Sequence, residues 1–122
     1  MRSNRELLTI AYDAFNAREI ETVLSLMHPD VDWPNGMEGG RVLGRDNVRA
    51  YWKRQWKLLD PCVEPMRIEE DANGRTVVGV HQIVRDLAGD VLADQVVHHV
   101  YTIQDGLIER MDILNPDENP EP

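Results

Sequence analysis

The segment QVVHHVYTIQDGLIERMDIL, Gln95–Leu114, gathers two adjacent histidines, a tyrosine, an arginine and an aspartate among apolar residues. Asp105-Gly106 separates its two apolar-rich runs, and Asp-Gly favours the positive φ angles of a two-residue hairpin turn. With that turn, one-to-one pairing sets Gln104 against Leu107, Ile103 against Ile108, Tyr101 against Arg110 and His99 against Asp112. Directly opposed strand residues hold their Cβ atoms about 4.5–5.5 Å apart, so this register brings imidazole and carboxylate into reach. His98 must face the other way, because successive strand residues alternate.

A histidine beside a carboxylate has its charged form favoured and its ring oriented, which suits general acid–base work. An aspartate in an apolar pocket can instead carry a raised pKa and shuttle the proton itself. Tyr101 could donate a hydrogen bond to a developing enolate oxygen, and Arg110 could hold negative charge or a carboxylate. This set fits proton abstraction beside a carbonyl, as in cyclisation, isomerisation or dehydration, with no metal or organic cofactor. The same four groups could also satisfy one another in a closed core. A metal site built from His81, His98 and His99 lacks any conventional ligand spacing, and the last two face opposite ways.

The elements that position these groups are legible from periodicity. Asn4 can cap a helix running to about Ala17, with Leu7 or Leu8, Ala11 and Phe15 at helical spacing. A second helix covers about Glu19 to Met27 and is stopped by Pro29, with His28 placed to meet the C-terminal carbonyls. Asp30 to Pro34 reads as a short strand, Asn35 to Gly44 as a long glycine-containing loop able to serve as a lid, and Arg45 to Leu59 as a third helix. Glu64–Asp71, Thr76–Asp86, Val91–Gln104 and Leu107–Leu114 read as four strands of a meander. Helices segregated from a run of strands give an α+β fold.

The chain reads as one domain over residues 1–114, followed by a disordered acidic, proline-rich tail over residues 115–122. A net charge of −9 disfavours a nucleic-acid partner, and no apolar run is long enough to span a membrane. The N-terminus enters a helical pattern without a secretory leader, which points to the cytoplasm. The lone Cys62 excludes an internal disulfide and is expected to be a half-buried structural thiol.

The stretches AYDAFNAREIETVLSLMHPDVDW, GRDNVRAYWKRQW and VYTIQDGLIERMDI, in this order, resemble the nuclear transport factor 2-like superfamily. The resemblance is to its SnoaL-like (polyketide cyclase) and ketosteroid isomerase-related branches. It implies a cone-shaped fold with three N-terminal helices packed on a strongly curved, mainly antiparallel sheet. It also implies a pocket for a small lipophilic molecule, and dimers formed through the outer face of the sheet. The family pattern places Asn35 at the isomerase base position and Ala11 at its tyrosine position, with Tyr12 one residue out of phase, which disfavours a steroid isomerase. SnoaL-like cyclases resemble the chain better, with Asp112 as acid/base beside His99. Limonene epoxide hydrolases use an Asp-Arg-Asp set, of which Arg110 and Asp112 supply only part.

The family also packs inward the Ile two positions after the turn glycine, here Ile108. By alternation, Val97, His99, Tyr101, Arg110 and Asp112 then face the pocket. Trp33, Trp52 and Trp56 would give it flat walls. Val96, His98, Val100, Met111 and Ile113 would form an apolar outer face, the expected homodimer surface.

Overall fold

The structure is a computed structural model that describes residues 3–36 and 38–114; the expected tail lies outside them. The first helix, α1, is Asn4–Asn16. Its cap is Ser3 rather than Asn4: the Ser3 hydroxyl accepts from the Glu6 amide at 3.1 Å. The second, α2, is short, Ile20–Ser25. The chain then enters strand β1, Met27–Pro34, three residues before the expected start. His28 therefore lies in a strand, where its Nδ1 accepts from the Asp30 amide at 3.1 Å.

Strand β2, Arg41–Leu43, forms inside the expected loop and pairs antiparallel with β1. The glycine-rich remainder is folded on itself, with Asn35 and Glu38 bonded to each other and Glu38 bonded to Arg54 at 3.1 Å. Helix α3 spans Arg45–Leu58 and buries Val48, Tyr51 and Trp52. Strands β3 (Leu59–Glu70), β4 (Thr76–Asp86), β5 (Val91–Gln104) and β6 (Leu107–Leu114) complete a six-stranded sheet of order β2-β1-β6-β5-β4-β3. Only β1 with β6 is parallel, so the three helices lie on a mainly antiparallel sheet, the expected α+β arrangement.

β3 begins at Leu59, five residues early, and runs through two prolines. It is an edge strand, where proline is tolerated because one side of the backbone needs no sheet partner. Pro61, Val63 and Pro65 share the parity that points away from β4. Asn16 bonds both the amide and the carbonyl of Val63, at 3.0 and 2.7 Å. Arg18 bonds the Pro61 carbonyl at 2.8 Å, and Arg5 the Ile68 carbonyl at 3.0 Å. Helix α1 and Arg18, two residues beyond it, thus cover this edge. Cys62, on the same strand, is exposed rather than half-buried.

The β5–β6 turn is Asp105-Gly106, with φ of +54° and +76°. Pairing starts as expected, Gln104 with Leu107 and Ile103 with Ile108. It then shifts: Thr102 pairs with Arg110, so Glu109 is an extra residue in β6, a β-bulge. A one-residue slip moves every later side chain to the other face. His99 consequently opposes Ile113, Tyr101 opposes Met111, and Asp112 opposes Val100. The expected His99–Asp112 and Tyr101–Arg110 pairs do not form. His99 and Asp112 lie on opposite faces, so Asp112→Asn is expected to leave the His99 imidazole titration within about 0.2 pH units of wild type. Histidine-resolved NMR titration of the two proteins measures this; a larger shift contradicts the bulged register.

Candidate functional site: a cavity ending in a histidine and two tyrosines

The inner side of the sheet and the three helices enclose a cavity of 370 Å³. Among the expected pocket residues, Trp33, Trp52, Val97, His99, Tyr101 and Ile108 line it. Met111 and Ile113, expected on the outer face, line it as well, as the bulge requires. Trp56 is not in the lining. It stacks behind Trp52, with centroids 5.9 Å apart, and carries the Arg18 guanidinium over its ring. Trp33 meets Trp52 edge-on at 5.6 Å, giving the cavity an aromatic corner.

The polar end consists of three buried side chains from two elements, Tyr12 of α1 with His99 and Tyr101 of β5. Tyr101 of β5 donates to the Tyr12 oxygen at 2.8 Å, and the Tyr12 hydroxyl lies 2.7 Å from His99 Nδ1. A hydroxyl has one proton to give. With Tyr101 donating to Tyr12, the Tyr12 proton is available to His99 Nδ1. When Nδ1 accepts this hydrogen bond, the proton of the neutral ring sits on Nε2, which has no protein partner among the described residues.

Burial sets the protonation of all three. It penalises the imidazolium and, with a smaller contribution from neighbouring His98, lowers the His99 pKa from 6.5 to about 4. Burial likewise pushes the Tyr101 phenol up, against the opposing effect of its bond to Tyr12. Tyr12 is raised well above the usual phenol range by burial, reinforced by Tyr101. This series of three side chains is neutral at physiological pH, in contrast to the charged histidine–carboxylate pair expected from one-to-one pairing.

Tyr12 is the residue that sequence reasoning passed over. Leu8, Ala11, Tyr12 and Phe15 recur at i, i+3, i+4 and i+7, one continuous helical face. Ala11 and Tyr12 therefore both reach the cavity, and the phase that seemed to exclude Tyr12 does not. Asn35 does not line the cavity; its side chain is engaged with Glu38.

Asp112 and Arg110 belong to a cluster on the outer face. Arg110 bonds Asp112 at 2.9 and 3.1 Å and Asp32 at 2.8 Å. Arg41 bonds Asp32 at 2.6 Å, Asp112 at 3.1 Å and the Met111 carbonyl at 2.7 Å. Asp32 is the second carboxylate that sequence spacing did not reveal, but this Asp-Arg-Asp set faces away from the cavity. Two arginines and two aspartates in mutual contact tie β2, β1 and β6 together. His81 is likewise held on the outer side, 2.6 Å from Asp94. Among the described residues no group of three or more histidine, cysteine or acidic side chains converges as metal ligands. No described helix is long and apolar enough to cross a membrane.

This fold and cavity agree with comparisons to known proteins. The SnoaL-like domain model matches residues 9–111, so the chain belongs to the SnoaL-like family within the nuclear transport factor 2-like superfamily. The crystal structure of TerC co-crystallized with polyporic acid is 32% identical, with a TM-score of 0.79, covering 92% of this chain and 90% of TerC. A nuclear transport factor 2-like protein of unknown function from Burkholderia pseudomallei is 27% identical, with a TM-score of 0.79, over 93% of this chain and 90% of that one. A candidate polyketide cyclase from Pseudomonas putida is 21% identical, with a TM-score of 0.77, over 96% and 94% of the two chains; that likeness is one of fold. No curated protein matches the sequence.

The depressed His99 pKa has a thermodynamic consequence with a definite sign. Between pH 6.5 and about 4 the unfolded chain binds a proton at this residue and the folded chain does not. Its contribution to stability is therefore intact above pH 6.5 and is lost progressively as pH falls towards 4. The expected NMR result is a neutral ring with its proton on Nε2 at pH 6. Urea midpoints should fall over the same acid window in wild type, and less in His99→Gln.

Proposed function

We propose that the protein binds a small, flat, lipophilic carbonyl compound in the cavity and acts on it, without a cofactor, by acid–base chemistry of the cyclase, isomerase or lyase class. The observation that carries this reading is the Tyr101–Tyr12–His99 hydrogen-bonded series at the end of an apolar cavity; with the Tyr12 hydroxyl donating to Nδ1, its outer end is an Nε2–H donor. A neutral imidazole donor can polarise a carbonyl oxygen and stabilise the enolate charge that develops as a neighbouring C–H proton passes to a solvent water at the cavity mouth. Tyr12 and Tyr101 hold the tautomer that makes this possible. Trp33 and Trp52 supply the flat walls. TerC, which was co-crystallized with polyporic acid, supports a small-molecule occupant.

Ligand binding without turnover is the second reading. It is favoured by the described lining, which contains no carboxylate to take a proton from carbon. Tryptophan fluorescence titration with polyporic acid, 4-acetylbiphenyl and dibenzoylmethane tests occupancy. Exchange of the acidic hydrogen of bound dibenzoylmethane for deuterium tests chemistry. Quenching by at least one compound is expected, with affinity about tenfold weaker in His99→Ala. The same variant should slow exchange by about a hundredfold, the scale of a lost acid–base group. Binding without accelerated exchange supports the second reading, and quenching by none of the three rejects the cavity as a ligand site.

The proposal includes a pair of copies meeting through the outer face of β4 and β5. Val96 is 38% exposed there, and the buried His98 Nδ1 has no partner among the described residues. Met111 and Ile113 drop out of the expected surface because they face the cavity. Sedimentation equilibrium is expected to show a dimer that Val96→Glu converts to a folded monomer; a monomeric wild type rejects the pairing.

A further inference from the structure

We infer that the cavity selects an elongated, uncharged ligand with a hydrogen-bonding group at each end, read by His99 at the buried end and by Gln82, Gln95 and Gln55 at the mouth. This deepens the proposed function and rests on its premise that the cavity is a ligand site. Gln82 and Gln95 are direct cross-strand partners on β4 and β5. Gln55 reaches the same lining from α3, where its amide also donates to the Tyr51 hydroxyl at 3.3 Å. An amide both donates and accepts, so this end can take a hydroxyl or a second carbonyl.

The spacing follows from the strand. Gln95, Val97 and His99 are successive inward residues of β5, so four residues separate the mouth amide from the imidazole, about 13 Å at the rise of an extended strand. Between them Val97 and the aromatic corner give apolar surface. A ligand matching this pattern has an apolar, ring-containing middle and polar termini, and one ring alone does not span it.

No formal charge meets the ligand. Among the described residues the lining holds no Asp, Glu, Lys or Arg, and its histidine is held neutral. Arg18, beside the lining residues Phe15 and Pro61, is engaged by Asp60 at 2.5 Å and by the Pro61 carbonyl at 2.8 Å. A carboxylate entering the cavity would give up water without a cation to replace it.

The test compares 4-acetyl-4'-hydroxybiphenyl, 4-acetylbiphenyl and 4-acetyl-4'-carboxybiphenyl by tryptophan fluorescence on wild type and a Gln82→Ala/Gln95→Ala variant. The hydroxy ketone is expected to bind most tightly and the carboxylate at least about tenfold more weakly. In the variant the hydroxy ketone should lose about tenfold in affinity, while 4-acetylbiphenyl, without the mouth-end hydroxyl, loses less than about twofold. Equal or tighter binding of the carboxylate overturns the inference, as does an equal loss for the two neutral ketones. Absence of binding by all three overturns the cavity reading itself, which separates its failure from that of the ligand class.

Discussion

One residue of β6, Glu109, has no counterpart on β5, and the polarity of both faces of the sheet depends on that mismatch. Before the bulge, Ile108 points into the core; after it, Met111 and Ile113 do, and Arg110 and Asp112 point out. Without the extra residue a guanidinium and a carboxylate would stand in the cavity. With it, both join Asp32 and Arg41 at the surface, where partial exposure keeps the cost of holding charge low. The neutral interior and the charged exterior are two results of a single insertion.

A neutral interior changes what its polar groups can do. In water a phenol and an imidazole exchange partners freely. Here burial keeps both tyrosines and the histidine neutral and linked in one hydrogen-bonded series. Low dielectric strengthens each bond of such a series and makes the unpaired end the costly one. The unpaired end is the one that faces the cavity. The same burial that makes His99 a poor base leaves its ring a neutral, fixed hydrogen-bonding group.

Much of the fold was legible in the chain. Hydrophobic periodicity marked three helices and five of the six strands, β2 excepted, because burying one face imposes a period of 3.6 or 2 on the residues themselves. The Asp105-Gly106 turn was legible because its backbone demands particular residues. The bulge was not, since Glu109 and Arg110 are ordinary strand-surface residues whose sequence carries no mark of an unpaired position. From that one slip followed the misplacement of Asp112, Arg110, Met111 and Ile113, while His99, Tyr101, Val97 and Ile108 kept their face. Tyr12 was available in the Leu8, Ala11, Tyr12, Phe15 stripe, but the family pattern drew attention to the neighbouring position. The early start of β3 was hidden by Pro61 and Pro65, which usually argue against a strand and here identify an edge.

The treatment of that edge bears on behaviour in a crowded solution. A bare strand margin is a template on which a second chain can add, and from there a fibril can grow. On β3 the outward positions at Pro61 and Pro65 offer no donor, Asn16 occupies both groups of Val63, and Arg18 occupies the carbonyl of Pro61. At the opposite margin, β2 is only three residues long. The sheet is thereby protected against lateral polymerisation by helix side chains and two imino acids, and it needs no further strand to close it.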